Sequence, residues 1–441
     1  MAQITDIQPK SSPRVRWSWY LYDFGNSAYA AVVLLAVFSA YFKQQVVGGA
    51  RGSWLWGLSL GIAMLVVAII SPILGTIADY SGTKKRNLFF FTVMSCFFTA
   101  MLFFVQAGDI ALGMIFFILA EIGYRSAQVF YNALLPDIAS EDEMGHVSGN
   151  GWAVGSAGGI VCLLIVLPLI VFIGGTFVVR LSLVITALFF LLSTIPLFLW
   201  VKETKIKTPI PEGRNIFAFA FGRLWRTFRE ARNYKEFIKF LVSFLIFNDG
   251  ILMTLDFAAI LGAVLFGMNQ QQLIIFMIIV QVTSVIGAYL SGKFADRYGT
   301  KTSLVISLIL MIITILILVF LVKDLYGFFG VGALAGFALT GVQSVSRTMV
   351  AQMSPEEKSA EFYGLFAVAG RTSSSIGPTL FGLLAAQGAL WYERQGMAVV
   401  EAEKAGQRVG LFSIVAFLAV GLSVLLFVRD VSYEKRHKQL T

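Results

Sequence analysis

The sequence is poor in charge, cysteine and histidine. Charged residues fill 13% of its 441 positions, about half of the roughly 25% found in soluble domains, so a soluble globular fold is excluded. The two cysteines, Cys96 and Cys162, sit in separate apolar runs, which argues against a disulfide framework. Two histidines, His146 and His437, are too few for a metal centre. Ten-residue alternating strands are missing, which excludes an outer-membrane barrel. There is no H-E-x-x-H, no G-x-S-x-G and no histidine inside an apolar run, so an intramembrane enzyme is not expected. Residues 1–16 are polar, with Pro9 and Pro13, and the first apolar run carries Asp23 and Asn26. That is unlike a cleaved signal peptide, and the first span is expected to be retained.

Apolar length is what the chain has in abundance. Hydrophobic residues make up 57% of the sequence and the mean hydropathy is +0.79. At roughly 20 apolar residues per crossing, that is enough for about twelve membrane helices. Apolar runs fall near 19–42, 54–77, 88–106, 110–133, 147–173 and 178–201, and again near 237–266, 271–293, 302–322, 327–350, 361–386 and 408–428. Between the two sets, 202–236 contains Pro209, Pro211 and nine basic residues. The predicted organisation is an all-α polytopic membrane protein: a six-helix bundle over 1–201, a cytoplasmic linker over 202–236 and a second six-helix bundle over 237–441. In the linker, Phe217, Phe221, Leu224, Trp225 and Phe228 recur at helical spacing, interleaved with Arg223, Arg226, Arg229 and Arg232. This pattern predicts an amphipathic helix on anionic headgroups.

The net charge of +9 is mostly a topology signal. With an even number of spans, segments on the side of the termini hold 24 Lys and Arg residues and the opposite loops hold seven. The positive-inside rule then places both ends in the cytoplasm, in a plasma (inner) membrane, with no role for nucleic acid. Trp54, Trp56 and Trp200 are predicted interfacial anchors, and Gly151, Gly155 and Gly159 give small-residue spacing for close helix packing.

A loop is repeated: GTIADYSGTKKR from Gly75 and GKFADRYGTKTS from Gly292 match at Gly75/Gly292, Asp79/Asp296, Gly82/Gly299, Thr83/Thr300 and Lys84/Lys301, 217 residues apart. A second register at 215 relates Gln128 to Gln343 and Gly149 to Gly364. The chain therefore reads as two homologous halves. The G-x-x-x-D-x-x-G-x-[KR] loop resembles the signature of the major facilitator superfamily of secondary transporters. YDFGNSAY, YNALLPDIA followed by VSGNGWAVG, and SRTMVAQMSPEEKSAEFYGLFAVAGRTSSSIGP are similar to the branch containing fungal vacuolar amino-acid effluxers and their bacterial relatives.

Glycine in these loops permits a tight turn and close helix approach, and the basic residues, Lys84, Arg297 and Lys301 among them, fix the loops to the inner interface. The resemblance implies a cytoplasmic latch in which Asp79 reaches the start of span 11 and Asp296 the start of span 5. Arg347 is the candidate partner for the second latch; its repeat counterpart is Asn132.

Ionisable residues inside spans mark a pathway or a pair. They are Asp23, Glu121, Arg125, Asp249, Asp256 and Arg371. Asp249 is the repeat counterpart of Asp23, and the two read as substrate-contacting, structural or gating residues. Glu121 and Arg125, four apart on one helix face, can neutralise each other; their counterparts, Gly336 and Thr340, are uncharged, as are Ser156 for Arg371 and Ala30 for Asp256. The expected substrate-or-coupling set is Asp23, Asn26, Glu121, Arg125, Asp249, Asp256 and Arg371. In it Arg371 or Arg125 takes an anionic group, and Asp256 or Glu121 takes a cationic group or a coupling proton. The predicted function is secondary active transport of a small polar solute, amino-acid efflux first. Proton coupling is expected, with no metal or organic cofactor, and the protein is expected to be a monomer in the lipid bilayer. Sugar, drug or lipid-like substrates are alternatives, and a transport-dead sensor is the reading from a different class.

Overall fold

The computed structural model describes residues 12–80, 82–139, 141–203, 216–354, 359–373 and 375–429. The side chains at 79–80, 141–142, 144–146, 216–218, 223, 296, 359–361 and 371–373 lie outside that description. Among the described residues all regular structure is helical. Helix α1 (Pro13–Tyr29) continues through two π-helical stretches, Ala30–Ala36 and Phe42–Val47. The first half is completed by α2 (Gly49–Tyr80), α3 (Lys84–Met101), α4 (Ile110–Ala133), α5 (Glu141–Phe172) and α6 (Gly175–Trp200). The linker helix (Ile216–Ala231) precedes α7 (Lys235–Phe266), α8 (Gln270–Tyr298), α9 (Thr300–Phe320), α10 (Leu325–Met353), α11 (Ser359–Ser373), α12 (Ile376–Arg394) and α13 (Val399–Leu426).

Eleven of these segments are continuous, long and apolar enough to cross a membrane. The span expected at 361–386 is described as two helices, α11 and α12, with Ser375 in a turn before the second. The cause of the division is local: the chain is polar from Arg371 to Ser375, and Pro378 supplies no backbone N–H. Neighbouring α7 satisfies the backbone groups that a break inside a membrane exposes. Asn248 Nδ2 donates to the Gly370 carbonyl at 3.4 Å, on one side of the break. On the other side, the Gly377 N–H donates to Asp249 Oδ1 at 3.3 Å.

The two halves use the same packing plan. α1 packs on α5 and α6, α2 on α4, and α3 on α4 and α6. In the second half α7 packs on α11, α12 and α13, α8 on α10, and α9 on α10 and α13. Aromatic stacking fixes the first bundle: Trp19 and Tyr131 stack at 4.4 Å and Tyr22 and Tyr131 at 4.8 Å, joining α1 to α4. In the second, Phe244 and Phe366 meet at 4.2 Å and tie α7 to α11. Outward-facing side chains such as Phe89, Phe97, Leu192, Leu199, Ile309 and Ile313 are exposed and supply the apolar surface that lipid covers.

The repeated loop keeps its symmetry in three dimensions. Gly82 (φ +60°) and Gly299 (φ +99°) hold left-handed backbone at equivalent turns, where a side chain would be strained. Lys84 pairs with Asp137 at 2.9 Å; 215 residues from Asp137, Gln352 accepts from Thr300 Oγ1 at 2.7 Å. Lys85 Nζ donates to the carbonyls of Phe198, in the last turn of α6, and of Val201, just past its end. Lys301 Nζ does the same at the Leu426 carbonyl that ends α13, placing positive charge at the negative end of a helix dipole. Among the described residues the close approach expected at Gly75 and Gly292 is not seen: a Cβ at either would meet none of them within 4 Å.

The halves meet most closely on the side opposite the termini, here the far side. A Cβ on Gly57 of α2 would lie 2.1 Å from the Pro378 carbonyl oxygen of α12, and one on Gly382 would lie 2.4 Å from the Ser53 carbonyl oxygen. Glycine is therefore required for α2 and α12 to touch. Thr379 Oγ1 donates to the Gly57 carbonyl at 3.2 Å, Gln407 Nε2 to Ser53 Oγ at 2.7 Å, and Gln270 Nε2 to the Ala36 carbonyl at 2.7 Å. The Lys43–Glu403 ion pair completes this seal.

Candidate functional site

The charges inside the spans form two groups that bridge the halves. In the first, Glu121 and Arg125 of α4 make the expected i,i+4 pair, with Arg125 Nε 2.7 Å from Glu121 Oε1. Glu121 is completely buried. Asp256, 7% exposed on α7, interacts electrostatically with both residues across the domain boundary. Among the described residues the guanidinium makes its ion pair with Glu121, and it acts on Asp256 through space. The Tyr29 hydroxyl of α1 sits against Glu121 and can donate to its second carboxylate oxygen, and neither atom has another hydrogen-bond partner among the described residues. A buried hydroxyl facing a buried carboxylate answers both groups, so Tyr29 ties α1 to the charged pair on α4.

Trp56 holds the other side of this group. It was expected as an interfacial anchor, but it is fully buried and its Nε1 donates to the Asp256 carbonyl at 3.0 Å. Its indole packs in tilted and edge-on contacts among Phe38, Phe42 and Phe117, which explains the burial. Trp56 was missed as a site residue, although the neighbouring Gly57 and Gly61, with small-residue spacing, signal a close helix contact.

In the second group, Asp23 of α1 faces Arg347 of α10 across the halves, and the two charges interact. Arg347 was expected to partner Asp296; its described electrostatic partners are Asp23 and Tyr363, and Tyr363 also donates to its carbonyl at 3.1 Å. Asn26 is buried beside Asp23 with its side-chain oxygen unpartnered. Asp23 also lies against α5, where a Cβ on Gly155 would come within 2.4 Å of its Oδ2. Gly151 and Gly159 allow equally close packing, on Trp19 and Gln281.

Asp249 parts from its repeat counterpart in role: it caps the start of α12 at the break, two turns along α7 from Asp256. Arg297 lies over the Tyr298 ring at 5.4 Å, exposed at the end of α8. The side chains of Asp79, Asp296, Arg371 and His146 lie outside the described residues. Among the described residues no three His, Cys, Asp or Glu side chains are grouped to hold a metal.

A two-fold helical membrane protein with buried charges shared between its halves has the architecture of a solute carrier. The family model described as "Vacuole effluxer Atg22 like" matches residues 56–438. The chain belongs to this Atg22-like effluxer family. It is 29% identical over 425 residues to the uncharacterized MFS-type transporter YxiO of Bacillus subtilis (strain 168), covering 94% of each chain. To autophagy-related protein 22 of Coccidioides immitis (strain RS) it is 24% identical over 409 residues, covering 74% of this chain and 66% of that protein. Its fold matches the crystal structure of a bacterial homolog of the human lysosomal transporter Spinster in an inward-facing, unoccupied conformation. That match has a TM-score of 0.73 at 16% identity and covers 95% of this chain and 97% of the other. The Atg22-like chain is therefore a multi-pass membrane transporter of the major facilitator type, and its relatives are transporters, not enzymes.

Proposed function

We propose that this transporter exports small zwitterionic solutes, amino acids first, by alternating access coupled to protons. Both termini would lie in the cytoplasm of a cell whose plasma membrane it spans, as the excess of Lys and Arg on the terminal side supports. The observation that carries the reading is the Arg125–Glu121 ion pair of one half, with the buried carboxylate of Asp256 in the other half within reach of both charges. Arg125 is the fork for a substrate carboxylate, and Asp256 or Glu121 receives the ammonium or the proton. The ligand that brings a carboxylate to Arg125 competes with the two acids. A proton on Asp256 also removes the attraction between Arg125 of α4 and α7, so protonation and rearrangement of the halves are linked. The side chain of Arg371, near the broken span, belongs to the same proposed set together with Asp23 and Asn26. Asp249 acts in it by holding the break through which α11 and α12 turn relative to one another. The loops with Gly82, Lys84, Gly299 and Lys301, together with Asp79 and Asp296, would gate the terminal side.

The test is a thermal-stabilisation screen of the purified protein against amino acids, sugars and amphipathic drugs, followed by proteoliposome flux with and without a pH gradient. Stabilisation and gradient-driven flux by amino acids are expected. Flux of sugars alone, or flux indifferent to the gradient, would overturn the reading.

A further inference from the structure

On the far side a cavity of about 510 Å³ opens between the first half and the loops of the second, beside Lys43 and Glu403, with Lys323, Asp324, Lys404 and Gln44 on its walls. Its size falls in the range of pockets that hold small ligands. Two of these charged groups are already occupied locally: Lys404 pairs with Glu401 at 2.8 Å, and Asp324 Oδ1 accepts from the Gly327 N–H at 2.8 Å. Lys43 and Glu403 differ from them. Their side chains are 5% and 14% exposed, they come from opposite halves, and their pair forms part of the seal. The far side cannot open without splitting it, and each charge would then be left buried and alone.

A ligand carrying both signs avoids that outcome. We propose that this cavity is a second amino-acid site, at which a zwitterion exchanges with the Lys43–Glu403 pair and so opens the far side. The substrate carboxylate takes Lys43 while its ammonium takes Glu403. A carboxylate or an amine alone would satisfy one residue and strand the other. The proposal rests on the amino-acid reading above; it adds a far-side station separate from the Glu121–Arg125–Asp256 group.

Ser53 is fully buried in the seal, so a cysteine there reports opening. Ser53→Cys, with Cys96 and Cys162 replaced by serine, is reconstituted in liposomes and labelled from the far side with an impermeant maleimide. The probes are a mixture of neutral L-amino acids, the matching carboxylates without the amine, and the matching amines without the carboxylate. The amino acids are expected to speed labelling about tenfold, and neither set of half-molecules to do so. Lys43→Met/Glu403→Gln is expected to label fast and without ligand response. Lys43→Glu/Glu403→Lys keeps both charges and is expected to restore slow, amino-acid-responsive labelling. Equal responses to the half-molecules, or no response in a protein that moves the same amino acids, would overturn the far-side site alone. Absence of amino-acid flux in the parent protein would overturn the amino-acid reading, and the site with it.

Discussion

Removing Arg125 should harm the protein far more than removing Glu121, although the two form one ion pair. Glu121→Gln leaves the guanidinium with Asp256, its other electrostatic partner, and loses one charged hydrogen bond, about 1–2 kcal/mol. Arg125→Met instead leaves Glu121, completely buried, without its ion-pair partner, and removes the cation whose field reaches the buried Asp256. Stranding a buried charge in this way costs about 3–5 kcal/mol. At ~2 °C per kcal/mol for a large chain, the melting midpoint in detergent should fall by roughly 6–10 °C for Arg125→Met and by roughly 2–4 °C for Glu121→Gln. The Arg125→Met deficit should shrink as pH is lowered, because a proton on either acid removes one of two facing charges. The double variant should be more stable than Arg125→Met, since it removes one of the two stranded acids. Midpoints from heating followed by size-exclusion chromatography, across acidic to neutral pH, provide the assay. Equal losses for the two single variants, or a double variant worse than Arg125→Met, would refute the shared-cation arrangement.

Gly57→Leu should keep the protein folded but prevent far-side closure, because even a Cβ would lie 2.1 Å from the Pro378 carbonyl oxygen; faster far-side labelling at Ser53→Cys would be its signature. Trp56→Phe removes the hydrogen bond to the Asp256 carbonyl and is expected to cost about 1 kcal/mol by thermal midpoint and to slow substrate counterflow. Gly299→Ala, at φ +99°, should cost about 1–3 kcal/mol by the same measure. Gly292→Ala, where a Cβ meets nothing within 4 Å, should be close to neutral.

The helical membrane fold and its two-fold repeat were legible because long apolar runs and a duplicated loop survive without tertiary information. The Glu121–Arg125 pair was legible for the same kind of reason: a spacing of four on a helix fixes both partners. Features that arise between the halves were not. Trp56 reads as an interfacial anchor until α7 supplies the Asp256 carbonyl and three phenylalanines bury the indole. The break between α11 and α12 hides in a run of small and polar residues. It is tolerated because Asn248 and Asp249 lie on a different helix, where they answer its backbone groups. Gly75 and Gly292 illustrate the opposite error: a repeated glycine invited a packing role that the structure does not give it, while Gly82 and Gly299 meet a real backbone requirement.

The central claim is that the Glu121–Arg125–Asp256 group couples amino-acid export to protons. It is tested most directly by efflux of labelled amino acids from proteoliposomes under an imposed pH gradient, comparing the wild type with Asp256→Asn. The account expects gradient-accelerated efflux in the wild type, and in Asp256→Asn residual exchange that no longer responds to the gradient. Gradient-driven efflux that persists unchanged in Asp256→Asn would contradict it.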